Sequence, residues 1–165
     1  MFNFFYSDCV ISDVEYIRKG NTPQDCVVSA KIDGRQAKQC VMEKTMYDYF
    51  KGLGSGTKNR IWFVEVKKKL VFKAIQNQAG ELLVAKMTTK GKFHDYFKIP
   101  FVLMVGGVTI GISQNSLACF YWGVGIGAVY LLATIGLHKK LDNFASWPAG
   151  DVSAYTTAVK PAFGS

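Results

Sequence analysis

The sequence predicts an α+β membrane protein: a small antiparallel β-rich cytoplasmic domain of five or six strands and one short helix, followed by a two-helix transmembrane hairpin. Three observations carry this expectation. From Ile99 to Leu137 there are 39 consecutive residues without an Asp, Glu, Lys, Arg or His. Between Ile61 and Ile75, apolar and charged residues alternate with the period of a strand. Asp33-Gly34 stands between two stretches of strand character, which is the strongest short-range hairpin signal. A chain of 165 residues is too short for a large multidomain enzyme, and an aromatic content of 14% fits neither a disordered nor a collagen-like polymer.

The β-rich domain is placed at residues 1–92. A first strand is expected over Val10 to Ile17, then a hairpin of Asp25 to Ile32 and Gln36 to Met42 around Asp33-Gly34. Glu43 to Leu53 reads as a short amphipathic helix that Gly52 and Gly54 bring to an end. From Ile61 to Ile75 the even positions Trp62, Val64, Val66, Leu70, Phe72 and Ala74 are assigned to the core, opposite the charged odd positions. Lys68 breaks that pattern, which calls for a bulge, a bend or a tight hairpin splitting the stretch. A turn over Gln76 to Gly80, a last strand over Glu81 to Met87 and a basic Lys90-Gly91-Lys92 linker complete the domain.

The uncharged run as one helix would extend about 58 Å, nearly twice the hydrocarbon thickness of a bilayer. Ser113-Gln114-Asn115-Ser116 favours a turn and divides it, so a hairpin is expected over 93–138 with its turn at 113–116. The second arm is long enough to span, whereas the first reaches spanning length only with Phe93, Tyr96, Phe97 and a snorkelling Lys98. Gly107 and Gly111 on one arm, and Gly123 and Gly127 on the other, place small residues one turn apart where helix backbones can approach. Residues 1–98 carry 17 Lys+Arg against 10 Asp+Glu, and Lys139 and Lys140 follow the second arm, so both termini are expected in the cytoplasm. The start Met1 to Tyr6 has no basic n-region, leaving the hairpin itself as the signal that directs the chain to the inner (plasma) membrane. The tail over 139–165 mixes small and polar residues without periodicity and reads as flexible.

Functional signals are few. Lys67, Lys69 and Lys73 form the most informative charge feature and point to an anionic lipid surface or an acidic partner. Nucleic acid ranks below both, because Trp62 and Phe72 are assigned to the opposite, core-facing side. Gly52 to Lys58 resembles a phosphate loop only superficially: Thr57 and Asn59 occupy positions that need Gly and a hydroxyl, and a strand pattern follows. His94 and His138 lie 44 positions apart and no C-x-x-C is present, so neither a metal nor a cofactor is expected. No catalytic constellation appears, so the chain does not read as an enzyme. Two functions are compatible with this pattern. One is an adaptor or regulatory subunit of a membrane assembly, with membrane lipids and another membrane protein or further copies of itself as partners. The other is a homo-oligomeric pore or membrane-perturbing effector with a ligand-sensing domain.

Overall fold

A computed structural model describes residues 2–20, 22–66, 69–85, 89–113 and 117–157. The elements are β1 (Phe2–Lys19), β2 (Asp25–Ile32), β3 (Arg35–Glu43), α1 (Lys44–Lys51), β4 (Lys58–Val66), β5 (Lys69–Gln76), β6 (Leu82–Val84), α2 (Thr89–Ser113), α3 (Leu117–Asp142), two short 3-10 turns and β7 (Thr156–Thr157). They form two compact units, one of residues up to 86 together with those from 144 onward, the other of residues 87–143.

Asp33 and Gly34 adopt positive φ angles of 50° and 74°, the geometry that lets a two-residue turn follow the twist of its strands. The turn is also tied to β1: Asp33 N donates to Val10 O at 2.9 Å, and Val10 N donates to Asp33 Oδ1 at 2.8 Å. That anchor sits where β1 changes partners. Its first half pairs with β4 and its second half with β2, with irregularities between Ser12 and Glu15 and between Tyr16 and Arg18. A long, irregular strand of this kind can belong to two sides of a curved sheet. The strand order β1-β2-β3-β5-β4 closes on itself through the parallel pairing of β3 with β5, and β6 and β7 extend the sheet. Closure into a five-strand barrel removes most exposed strand edges.

The barrel interior is filled by Phe5, Ile11, Val28, Ile32, Phe63 and Phe72 among others, with Met46 and Phe50 of α1 contributing from their own helix. Each such side chain stabilises the fold by about 1.5–3 kcal/mol on burial. Gly52 follows α1, as its spacing predicts.

The faces of β4 and β5 differ from the expected assignment. In β4 the odd residues Ile61 and Phe63 belong to the core cluster, while Trp62 and Val64 are buried outside it. In β5 the core takes Leu70, Phe72 and then Ile75, because the register slips opposite Trp62 and Phe63 and leaves Lys73 as an extra residue. Both faces of β4 are buried, so hydrophobic alternation alone could not tell inside from outside. β4 and β5 pair antiparallel as far as Val66 opposite Lys69, and Lys68, where a bulge, bend or hairpin was expected, lies outside the described residues.

The second correction concerns the tail. Its described part, up to Thr157, is built into the β unit. Tyr6 N donates to Pro148 O at 2.9 Å and Gly150 N donates back to Tyr6 O at 2.8 Å, forming a parallel bridge. Gly150 is needed there, since a Cβ would come within 2.6 Å of the Phe5 ring. Trp147 packs on Phe4, and Phe144 packs edge-on against Trp62. Val152 then enters the core cluster, Tyr155 stacks on Phe5, and β7 pairs with the start of β3. Aromatic and apolar residues spaced irregularly along a strap show no period, and for that reason composition suggested flexibility.

In the second unit, α2 and α3 pack on each other at the glycines. A Cβ at Gly123 would lie 2.4 Å from Gly107 Cα, so the two backbones nearly touch. Among the described residues, one stretch is long and apolar enough to cross a bilayer, Tyr121–Asp142 of α3. The apolar part of α2, Phe101–Ser113, is shorter, because its first turns hold Lys90, Lys92, His94, Asp95 and Lys98. Two spans were expected; length and composition support one.

Candidate functional site

The feature that separates this chain from an ordinary β protein is the surface of α3. Tyr121, Trp122, Val129 and Leu132 are each about 70% exposed, and the 22-residue stretch Tyr121–Asp142 is almost wholly unburied within the chain. Water-soluble helices carry their apolar residues on one stripe. Here apolar side chains point outward on the sides that α2 does not cover, which suits a hydrocarbon solvent. Thr109 and Thr134 return their hydroxyls to the carbonyls of Val105 and Tyr130, so neither exposes an unmet hydroxyl donor.

The four glycines expected to pack helices fall into place in part by direct contact. Gly107 and Gly123 meet backbone to backbone, and Gly111 and Gly127 are buried. By contrast, a Cβ at Gly125 or Gly136 would touch nothing within 4 Å.

The lysine group is not brought together as one open surface. Lys73 is only 6% exposed, being the bulged residue of β5, and its carbonyl accepts from Ala85 N at 2.9 Å. Lys69 is half-buried beside Val66, and Lys67 lies outside the described residues.

The glycine loop is occupied with its own backbone. Gly52 N donates to Asp48 O and Tyr49 O, Gly54 N to Tyr49 O and Gly56 N to Ile11 O. Amides already spent on protein carbonyls cannot cradle a phosphate. Asn59, 2% exposed, pins the loop further through Tyr49 Oη, Gly54 O and Thr57 O.

No family model, curated protein or solved structure matches this chain. Its chemistry is therefore read from its own groups. β2 and β3 contain no aromatic residue. Among the described residues no group of three His, Cys, Asp or Glu side chains could hold a metal ion. Cys9 and Cys40 are fully buried, and burial pushes both thiols up, Cys40 to about 12, which leaves them in the unreactive neutral form.

Sequence reasoning missed one polar cluster. Asp8 of β1, Arg60 of β4 and Gln76 of β5 stand in register across three strands. Arg60 Nε and Nη2 donate to the two Asp8 oxygens at 2.7 and 3.0 Å, and the guanidinium lies over the Tyr6 ring. This pairing holds the Asp8 carboxyl below its ordinary value, chiefly through the Arg60 hydrogen bond. Period-two spacing of Asp8 with Tyr6, and of Arg60 with Lys58, was the available signal, but only the strand register joins them.

Proposed function

We propose that this chain is a small integral protein of the inner (plasma) membrane. A helical hairpin holds the barrel at the cytoplasmic surface, and the barrel serves as an adaptor or regulatory subunit of a membrane assembly. The observation that carries this reading is the return of the chain to the barrel. Residues 144–157 supply Trp147 against Phe4, Val152 in the core and Tyr155 on Phe5, all in the unit that begins at the N-terminus. A single crossing through α3 would put those partners on opposite sides of a bilayer. The segment 87–143 must therefore leave and re-enter on one side, and a crossing by α3 needs a return crossing, for which α2 is the element at hand. At about 37 Å, α2 is long enough when its lysines reach the interface.

The positive balance of residues 1–98 favours the cytoplasm for the barrel. The absence of any charged residue from Ile99 to Leu137 favours anchoring over ion conduction. Purification in mild detergent, with mass measurement and identification of bound chains, tests the role. An adaptor co-purifies with a different protein and leaves membrane potential intact on expression. Isolation as a homo-oligomer alone, with dose-dependent loss of potential, would replace this reading by a pore.

A further inference from the structure

The cleft of about 400 Å³ at the start of β4 is lined by Asp8, Lys58, Asn59, Arg60, Gln76 and Gln78 with the β5–β6 turn beside them. Its walls are fixed before any ligand arrives. Arg60 is held by both Asp8 oxygens and by the Tyr6 ring. Asn59 is buried and bonded on the floor. The turn is locked by Asn77, whose Nδ2 donates to Glu81 Oε2 at 2.7 Å and whose Oδ1 accepts from Glu81 N at 2.9 Å.

Against these fixed walls stand groups still able to donate. The exposed Lys58 ammonium has no hydrogen-bond or ion-pair partner among the described residues, although it lies within Coulomb range of Asp8. The exposed Gln78 amide is likewise uncommitted, and Arg60 retains donors beyond the two that Asp8 takes. Among the lining residues two cations, Lys58 and Arg60, face one carboxylate, Asp8, while the neighbouring Glu81 carboxylate is engaged by Asn77 on the turn. Lys58 and Arg60 are alternate residues of one strand, about 7 Å apart along it, a span that suits two linked phosphoryl groups better than a single carboxylate.

We propose that this cleft binds a diphosphate-bearing anion, with Lys58 and Arg60 as its cations and Gln78 as its amide donor, while Gln76 Nε2 is already given to Gly80 O. The same chemistry serves a soluble diphosphate or a lipid diphosphate headgroup, and preformed polar walls lower the ordering cost of either.

The test uses the full-length chain in a neutral detergent, titrated with inorganic pyrophosphate by calorimetry. Saturable binding is expected, weakened about tenfold by Lys58→Glu through loss of a charge-assisted hydrogen bond, and less by Gln78→Ala. Lys51→Glu, on α1, should leave affinity unchanged. Both cleft side chains are exposed, so the thermal melts of these variants should match the parent, and Gln78→Ala stands in should Lys58→Glu misfold. Micelles doped with diacylglycerol pyrophosphate, which carries the same two linked phosphoryl groups on a lipid, separate the sources. Competition with pyrophosphate that Lys58→Glu abolishes identifies a headgroup, and no competition identifies a soluble diphosphate. No saturable binding at about 1 mM pyrophosphate, or equal affinity in Lys58→Glu and Lys51→Glu, would overturn the proposal.

Discussion

The Tyr155 hydroxyl donates to Glu65 Oε2 at 2.8 Å across 90 residues of sequence, joining the C-terminal strap to the end of β4 on the far side of the helical insertion. The same hydroxyl accepts from Asn3 Nδ2 at 3.3 Å, so strap, β1 and β4 meet at one oxygen. Removing it should be felt by the whole barrel. Tyr155→Phe is expected to cost about 1.5–3 kcal/mol in denaturant unfolding, the range for one bond to a charged acceptor. Trp147→Ala should cost more, through the cavity it leaves beside Phe4.

Tyr155 also predicts an alkaline limb. Burial, ahead of the Glu65 carboxylate, raises its hydroxyl above the ordinary value of 10.0. A raised folded value means that the neutral form is favoured in the native state. Its contribution is therefore complete below pH 10.0 and is lost as pH climbs through the raised value. A melting series above neutrality should show this decline in the parent and not in Tyr155→Phe.

Asp8 predicts the opposite limb. The Arg60 hydrogen bond lowers its carboxyl below 3.8, so the pair stabilises the fold above that pH and is lost as pH falls through the lowered value. The effect is shallow because both side chains are more than 40% exposed and screened by water. Asp8→Asn should flatten this part of the acid unfolding curve, and added salt should do the same to the parent.

Buried thiols should be silent until the barrel opens. In a Cys119→Ser background, Cys9 and Cys40 are expected to resist alkylation at mildly alkaline pH and to react fully in denaturant. Mass spectrometry of the labelled peptides gives the result directly. Labelling of either cysteine at native-state rates equal to those in denaturant would show a barrel looser than its core packing implies.

The helix pair makes a prediction by contrast. Gly123→Leu drives a side chain into Gly107 and should separate α2 from α3, lowering thermal stability in detergent. Gly125→Leu meets open space and should leave the pair intact. Equal effects of the two substitutions would mean that the helices do not pack at Gly107.

Local signals in the sequence are legible, and long-range ones are not. Asp33-Gly34 and Gly52 act through φ angles and helix termination, which neighbouring residues decide, so the β2–β3 hairpin and α1 were legible. The faces of β4 were hidden because Ile61 to Val64 are all buried, and those of β5 because the slip at Lys73 inverts the phase. The first half of β1 carries no strand period, since Phe4 and Phe5 are buried side by side without alternation. The strap depends on partners such as Asn3 and Glu65, 152 and 90 residues away, which no window along the chain contains. The cleft was equally invisible, because Asp8, Arg60 and Gln76 become neighbours only through strand register.

Whether the chain crosses a membrane and comes back is settled most directly by accessibility of single cysteines in intact cells, placed at Gln78, Asn115 and Thr157 in a background lacking the native four. With the barrel and its strap on the cytoplasmic side, an impermeant maleimide should reach position 115 from outside, while positions 78 and 157 react only after permeabilisation. Labelling of 78 and 157 from opposite sides, or of all three from the same side, would contradict the account.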